Sequence, residues 1–276
     1  MARSARLPLL CALACAGALA LVAVAALGVG VFRVRDAAVL HGFTALDRPA
    51  VHEAIKAIVH LADPLPYALI GLVCFVVALC RGLRGRALAV ALLLPVTGAT
   101  TQAIKHTLSE PRAAGFLARE VGPDAFPSGH ATAAMTLALC AVLVAPAAWR
   151  ATVALVGAAF AVGVGYGVVV LAWHFPSDVV GGFLVAGVWT SLAVAALRRF
   201  ERPAPEQPAG RGGLVAAGVA AAVAAALVAT LGSRADTAAL YARERPSLAA
   251  AAVAIAALGL ALVALAGAGA RGRPAR

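Results

Sequence analysis

Lys105, Arg112, Ser128, Gly129, His130, His174 and Asp178 stand out from an otherwise apolar chain. They fall in three clusters: Lys105 with Arg112, Pro127-Ser128-Gly129-His130, and His174-Phe175-Pro176-Ser177-Asp178. The second cluster opens a long apolar run, so its backbone N–H groups are those a helix leaves unpaired at its start. With the helix dipole, such an end is an anion site. Gly129 lets a ligand approach the backbone, and Ser128 adds a hydroxyl. Pro176, suited to a first helical turn, should aim a second positive helix end at the same region. Lys105 and Arg112 supply full charges, and a guanidinium can clasp two phosphate oxygens. Asp178, four residues after His174, can fix that imidazole's tautomer and leave its other nitrogen as a nucleophile. His130 can act as general acid to a leaving oxygen. Together these residue types suit a phosphoryl group.

The elements that must position them are membrane spans. Of 276 residues, 63% are hydrophobic and 13% charged, with a mean hydropathy of +0.94. Soluble domains have roughly 45–50% apolar and about 25% charged residues. A cytosolic enzyme, a disordered tail and a secreted disulfide scaffold are excluded. The expected fold is all-α, a polytopic transmembrane helix bundle. A bilayer core of ~30 Å needs about 20 apolar residues per helix, and eight stretches qualify: 7–32, 65–80, 87–106, 129–147, 151–173, 178–197, 214–232 and 247–269. The first is too long for a signal peptide and reads as an uncleaved anchor. In the segment 33–64, Val51, Ile55, Ile58 and Ala62 recur at helical spacing, with Asp47 placed as a cap, which predicts an interfacial helix. The proline-rich stretch 198–213 reads as a linker. Three parts follow: a six-span core over 1–200, a cytoplasmic linker over 201–213, and two further transmembrane helices with a short tail over 214–276. All five cysteines lie in apolar stretches and read as buried free thiols.

A net charge of +11 would suggest nucleic acid in a soluble protein, but here the charges sort by loop. With the N-terminus inside, the inner segments hold 13 of the 23 basic residues and only 2 of the 12 acidic ones. Both termini are therefore expected in the cytoplasm, with no nucleic-acid partner. Lys105 and His130 are 25 residues apart without a crossing, and His130 and His174 are 44 apart, enough for two. The three clusters return to one face, outside.

In order and spacing, the clusters resemble the motifs of the type 2 phosphatidic acid phosphatase superfamily of membrane phosphatases: Lys-x6-Arg-Pro, Pro-Ser-Gly-His and Ser-Arg-x5-His-x3-Asp. The resemblance covers roughly residues 33–198. It implies that His174 becomes phosphohistidine, that Asp178 orients it, and that His130 protonates the leaving alcohol and then helps activate water. Lys105, Arg112, Ser128 and Gly129 would hold the phosphate. The chain departs from the pattern at Gly167-Val168, where the family has Ser-Arg, and at Ala113, where it has proline. A comparable donor is worth ~10²–10³ in rate. Arg119, in the same loop as Arg112, is the nearest substitute in sequence.

The expected substrate is a lipid phosphate reached from the bilayer. Phosphatidic acid, phosphatidylglycerol phosphate and polyprenyl diphosphates all fit the resemblance. Vanadium haloperoxidases share the motifs but are soluble. No cofactor and no metal are called for, because Lys105, Arg112 and helix ends carry the positive charge. His52 and His60 lie eight apart without a completing ligand set. Trp173 reads as an interfacial anchor. Two other readings stay open: a phosphoryl transferase using the same phosphohistidine, and a non-catalytic protein that binds or transports lipid phosphate, favoured by Val168.

Overall fold

In the computed structural model, which describes residues 3–109, 121–200 and 241–269, all regular structure is helical. In chain order the helices are α1 (Arg3–Gly28), α2 (Gly30–Thr44), α3 (Pro49–His60), α4 (Pro64–Cys80), α5 (Arg84–Thr107), α6 (Gly129–Val144), α7 (Arg150–Val170), α8 (Pro176–Phe200) and α9 (Pro246–Gly269). Four of these begin at proline, whose fixed φ suits the first turn and whose missing N–H is not needed there. Gly82, at φ +70°, supplies the left-handed residue that turns α4 into α5 within three residues.

Among the described residues, five segments are long and apolar enough to cross a membrane: Ala5–Gly28, Arg84–Thr107, Ala147–Val170, Pro176–Phe200 and Pro246–Gly269. The pair α3 and α4 passes jointly but is bent by 55° at its junction, and α6 is a shorter apolar helix. On α4, Leu65, Leu69, Leu72, Val76 and Leu79 stay exposed at helical spacing, the pattern of a lipid-facing stripe. The expected span 214–232 and the linker 201–213 lie outside the described residues.

Three expectations change. The first span stops at Gly28 rather than 32, and residues 30–44 form a separate helix that hydropathy alone had merged with it. Asp47 is not a cap: Arg48 occupies that position, and the Asp47 carboxylate instead holds His52 Nδ1 at 2.9 Å. The thiols are all free, but only Cys15, Cys74 and Cys140 are buried, while Cys11 is half-buried and Cys80 exposed.

The main core lies where α6, α7, α8 and α9 meet around Met135, Val164, Phe183 and Ile255. Small residues let these helices approach. Gly165 packs on Val179 and Phe183, and Gly259 on Val162 and Phe183. Gly187 faces Leu262 and Gly269 faces Val194, so α8 and α9 run parallel. A second cluster joins α4, α5 and α6 through Cys74, Val90, Leu93 and Cys140. At the far end of α6, Arg81 donates to the Val144 carbonyl and Arg86 to that of Leu143 at 2.8 Å, satisfying acceptors at the negative end of the helix.

Candidate active site

Ser128 is the N-cap of α6, and its Oγ accepts from the Ala131 N–H at 3.3 Å. Its own N–H donates to the Asp178 carbonyl at 2.9 Å, which ties the second polar cluster to the third through the backbone. Gly182, one turn beyond Asp178, makes this approach possible: a Cβ there would meet the Ser128 carbonyl at 2.7 Å and Thr132 N at 2.9 Å. Gly129 is the opposite case, since a Cβ there would meet nothing within 4 Å. The space beside the first turn of α6 is open, as an approaching ligand requires.

His174 is carried by the turn that ends α7. Trp173 N–H donates to the Val168 carbonyl at 2.9 Å and Ala172 N–H to that of Val169 at 3.1 Å, the paired bonds of a Schellman ending. Ala172 takes the left-handed position at φ 58°, which usually belongs to glycine. The His174 N–H also reaches the Val168 carbonyl at 3.2 Å. The His174 ring is buried, with Nδ1 3.5 Å from Asp178 Oδ2. That is ion-pair distance and long for a hydrogen bond. The same oxygen accepts a shorter bond, 2.8 Å, from Phe175 N–H. The fully buried Asp178 therefore braces the loop as well as facing the imidazole.

A threonine ladder sets the height of Lys105. Thr132 Oγ donates to the Ser128 carbonyl at 2.8 Å, and Thr101 Oγ lies 3.3 Å from Thr132 Oγ. Lys105 stands one turn beyond Thr101, about 6 Å further along α5, level with the start of α6. Arg112 and Arg119 fall in 110–120, outside the described residues. Ser109 donates to Asp124, joining the two described edges of that loop.

The second positive helix end is not available in the expected way. Ser177 N–H, at the start of α8, donates to Asp36 Oδ1 at 3.3 Å, and the Ser177 hydroxyl donates to Asp36 Oδ2. With Asp178 in the same first turn, two carboxylates already occupy this end, so the helix-end contribution to an anion falls to α6.

Sequence reasoning missed Asp36 and Asp63, and weighed His60 only as a metal ligand. The Asp63 carboxylate bridges two imidazoles: His130 Nε2 lies 2.9 Å from Oδ1, and His60 Nδ1 lies 2.8 Å from Oδ2. Trp173 packs against both rings, at 5.6 Å from His130 and 6.0 Å from His60. Asp63 directly precedes Pro64, a capping signal that could have drawn attention to it. His52 pairs with Asp47, and His60 shares Asp63 with His130.

Gly167 and Val168 also have structural roles. A Cβ at Gly167 would meet Val59 Cγ2 at 2.6 Å and Ile55 Cγ2 at 3.3 Å, so the missing side chain seats α3 on α7. Val168 is fully buried in the main core cluster.

Residues 84–202 match the family model described as the PAP2 superfamily. This segment resembles that family. Its match begins at the first residue of α5 and takes in α6, α7 and α8, so it contains every described member of the three motifs. The described part of the segment is helical, in a chain with several helices long and apolar enough to cross a membrane. None of the curated proteins matches the chain. One solved structure is similar to it, described as the first transmembrane PAP2 type phosphatidylglycerolphosphate phosphatase from Bacillus subtilis. It shares 20% identity at a TM-score of 0.49, over 69% of this chain and 98% of that one.

Proposed function

We propose that this protein hydrolyses a lipid phosphomonoester or diphosphate at the extracytoplasmic face, through a phosphohistidine intermediate. The observation that carries this reading is the Ser128 N–H bond to the Asp178 carbonyl, which joins the anion-binding helix start to the segment of the nucleophile. His174 Nε2 attacks phosphorus while Asp178 faces Nδ1. As the P–N bond forms, the P–O bond to the alcohol or phosphate breaks, and His130 gives its proton to the departing oxygen. Neutral His130 then takes a proton from water, whose oxygen attacks phosphorus and releases phosphate from His174. Lys105, Arg112, Ser128 and Gly129 hold the phosphoryl oxygens, with the α6 dipole adding to their charge. In this reading residues 1–200 are the phosphatase core, 201–213 a cytoplasmic linker and 214–276 an added pair of spans. The arginines at the far end of α6 support a cytoplasmic placement of that end, and hence an outward-facing site.

The experiment is an assay of the purified chain against phosphatidic acid, phosphatidylglycerol phosphate and a polyprenyl diphosphate, with and without EDTA. The parent should be active, be inhibited by vanadate and survive chelation. It should carry an acid-labile, alkali-stable label from ³²P substrate. His174→Ala should lose both label and turnover while remaining folded, and a label that persists in this variant would sink the phosphohistidine assignment. The buried Val168 favours a second reading, a lipid-phosphate binder without turnover; binding without hydrolysis across the panel would select it.

A further inference from the structure

We infer that Asp63 is a positioning residue for His130, holding Nε2 so that Nδ1 is the atom that exchanges a proton with the leaving oxygen. The inference rests on the phosphatase reading above. Asp63 lies outside the segment matched to the family and outside all three motifs.

Asp63 occupies the N-cap of α4 but makes no side-chain cap bond. Aspartate at that position ordinarily accepts from the first N–H groups of its helix. Here both carboxylate oxygens go to imidazoles instead, and the ionised form is favoured. A carboxylate can only accept, so His130 Nε2 must carry the hydrogen. The tautomer and ring plane of the acid are thereby set, as an orienting carboxylate sets a catalytic histidine elsewhere. His60 holds the second oxygen and Trp173 packs on both rings, so the carboxylate is fixed from two sides.

The placement depends on α3. Val59 and Ile55 rest on Gly167, and the next turn of chain delivers His60 and then Asp63. The serine that the family pattern has at 167 would push into Val59, a stiff β-branched side chain. The departure from the motif thus makes room for the helix that delivers the partner of His130.

The step balances without another reactant. Imidazolium His130 gives its Nδ1 proton to the oxygen leaving phosphorus, keeps the Nε2 hydrogen shared with Asp63, and regains a proton at Nδ1 from the attacking water.

The test compares two leaving groups on the purified full chain: phosphatidic acid, whose alkoxide needs protonation, and p-nitrophenyl phosphate, whose phenolate leaves without it. kcat/KM is read because it reports only the steps up to loss of the alcohol. Asp63→Asn should lower kcat/KM for phosphatidic acid by about 10–100-fold, part of the ~10²–10⁴ a positioned acid contributes. The aryl ester should fall by about threefold or less, and Asp63→Glu should recover part of the loss. Gly167→Ser, which displaces α3 without touching the carboxylate, should show the same leaving-group dependence. Equal losses on both esters in folded variants, or no loss, would overturn the role of Asp63 while leaving the phosphatase standing. A parent inactive on both esters overturns the two together.

Discussion

Asp36, on α2, holds Ser177, at the start of α8, across 141 positions of sequence, through one backbone and one hydroxyl hydrogen bond. Both residues are buried, and Ser177 directly precedes Asp178. The contact fixes where α8 begins, and with it the carboxylate that faces His174. Removing the acceptor takes both of these bonds away, at about 1–3 kcal/mol. Asp36→Ala should lower the melting temperature by several degrees, at about 2–4 °C per kcal/mol for a chain of this size, and should lower turnover with it. Asp36→Asn, which keeps one acceptor, should lose less. A thermal-shift series in detergent checks both, and an unchanged Asp36→Ala would show that α2 does not secure α8.

Val168 occupies the position of the family arginine but is fully buried among apolar neighbours. Val168→Arg should therefore destabilise the protein by roughly 3 kcal/mol or more through an unpaired buried charge, and should not raise activity. A gain in turnover or in vanadate affinity would mean that a side chain at 168 reaches the phosphate.

Ala172 has φ 58° in the turn that presents His174. Glycine is unstrained there, whereas a β-branched residue is a severe outlier. Ala172→Gly should keep its fold and activity, and Ala172→Val should lose roughly 1–3 kcal/mol together with most turnover. Melting temperature and rate measured side by side will tell; a Val variant indistinguishable from parent would contradict the turn geometry.

Burial pushes the Asp63 carboxyl up, but hydrogen bonds from His130 and His60 outweigh it, so the group lies below its ordinary value of 3.8. A depressed folded pKa stabilises above the unfolded pKa, and that stability is lost as pH falls through the folded value. The stability gap between parent and Asp63→Asn should therefore be full above about pH 5 and narrow steadily below about pH 4. Exposure of the carboxylate keeps the gap small. A gap that widens in acid would show that the carboxylate is not the stabilised form.

Hydropathy located most of the described spans because a lipid-facing helix must be apolar along its whole length. It missed the break at Val29, where one apolar stretch becomes two helices, because composition does not change there. His130, His174 and Asp178 were legible because their types, spacing and order carry a chemistry. Asp36 and Asp63 were not, because each meets its partner over a long sequence separation, and loop carboxylates beside an apolar run ordinarily face water. Gly167 read as a lost serine; only the packing of α3 shows what its hydrogen atom makes room for.

The 16 residues of α6 rise about 24 Å, some 6 Å less than a bilayer core of ~30 Å. With its arginine-held end at one interface, as proposed above, its Ser128 end would stop short of the opposite headgroup plane unless the membrane thins around it. A lipid phosphate, the substrate proposed above, would then have to sink to meet the helix, or the bilayer would have to come down with it. Thickness becomes a control on substrate access: turnover should be fastest in vesicles of short-chain lipids and slow as acyl length grows, with the soluble aryl ester far less sensitive. The protein would in that sense measure the membrane it works in.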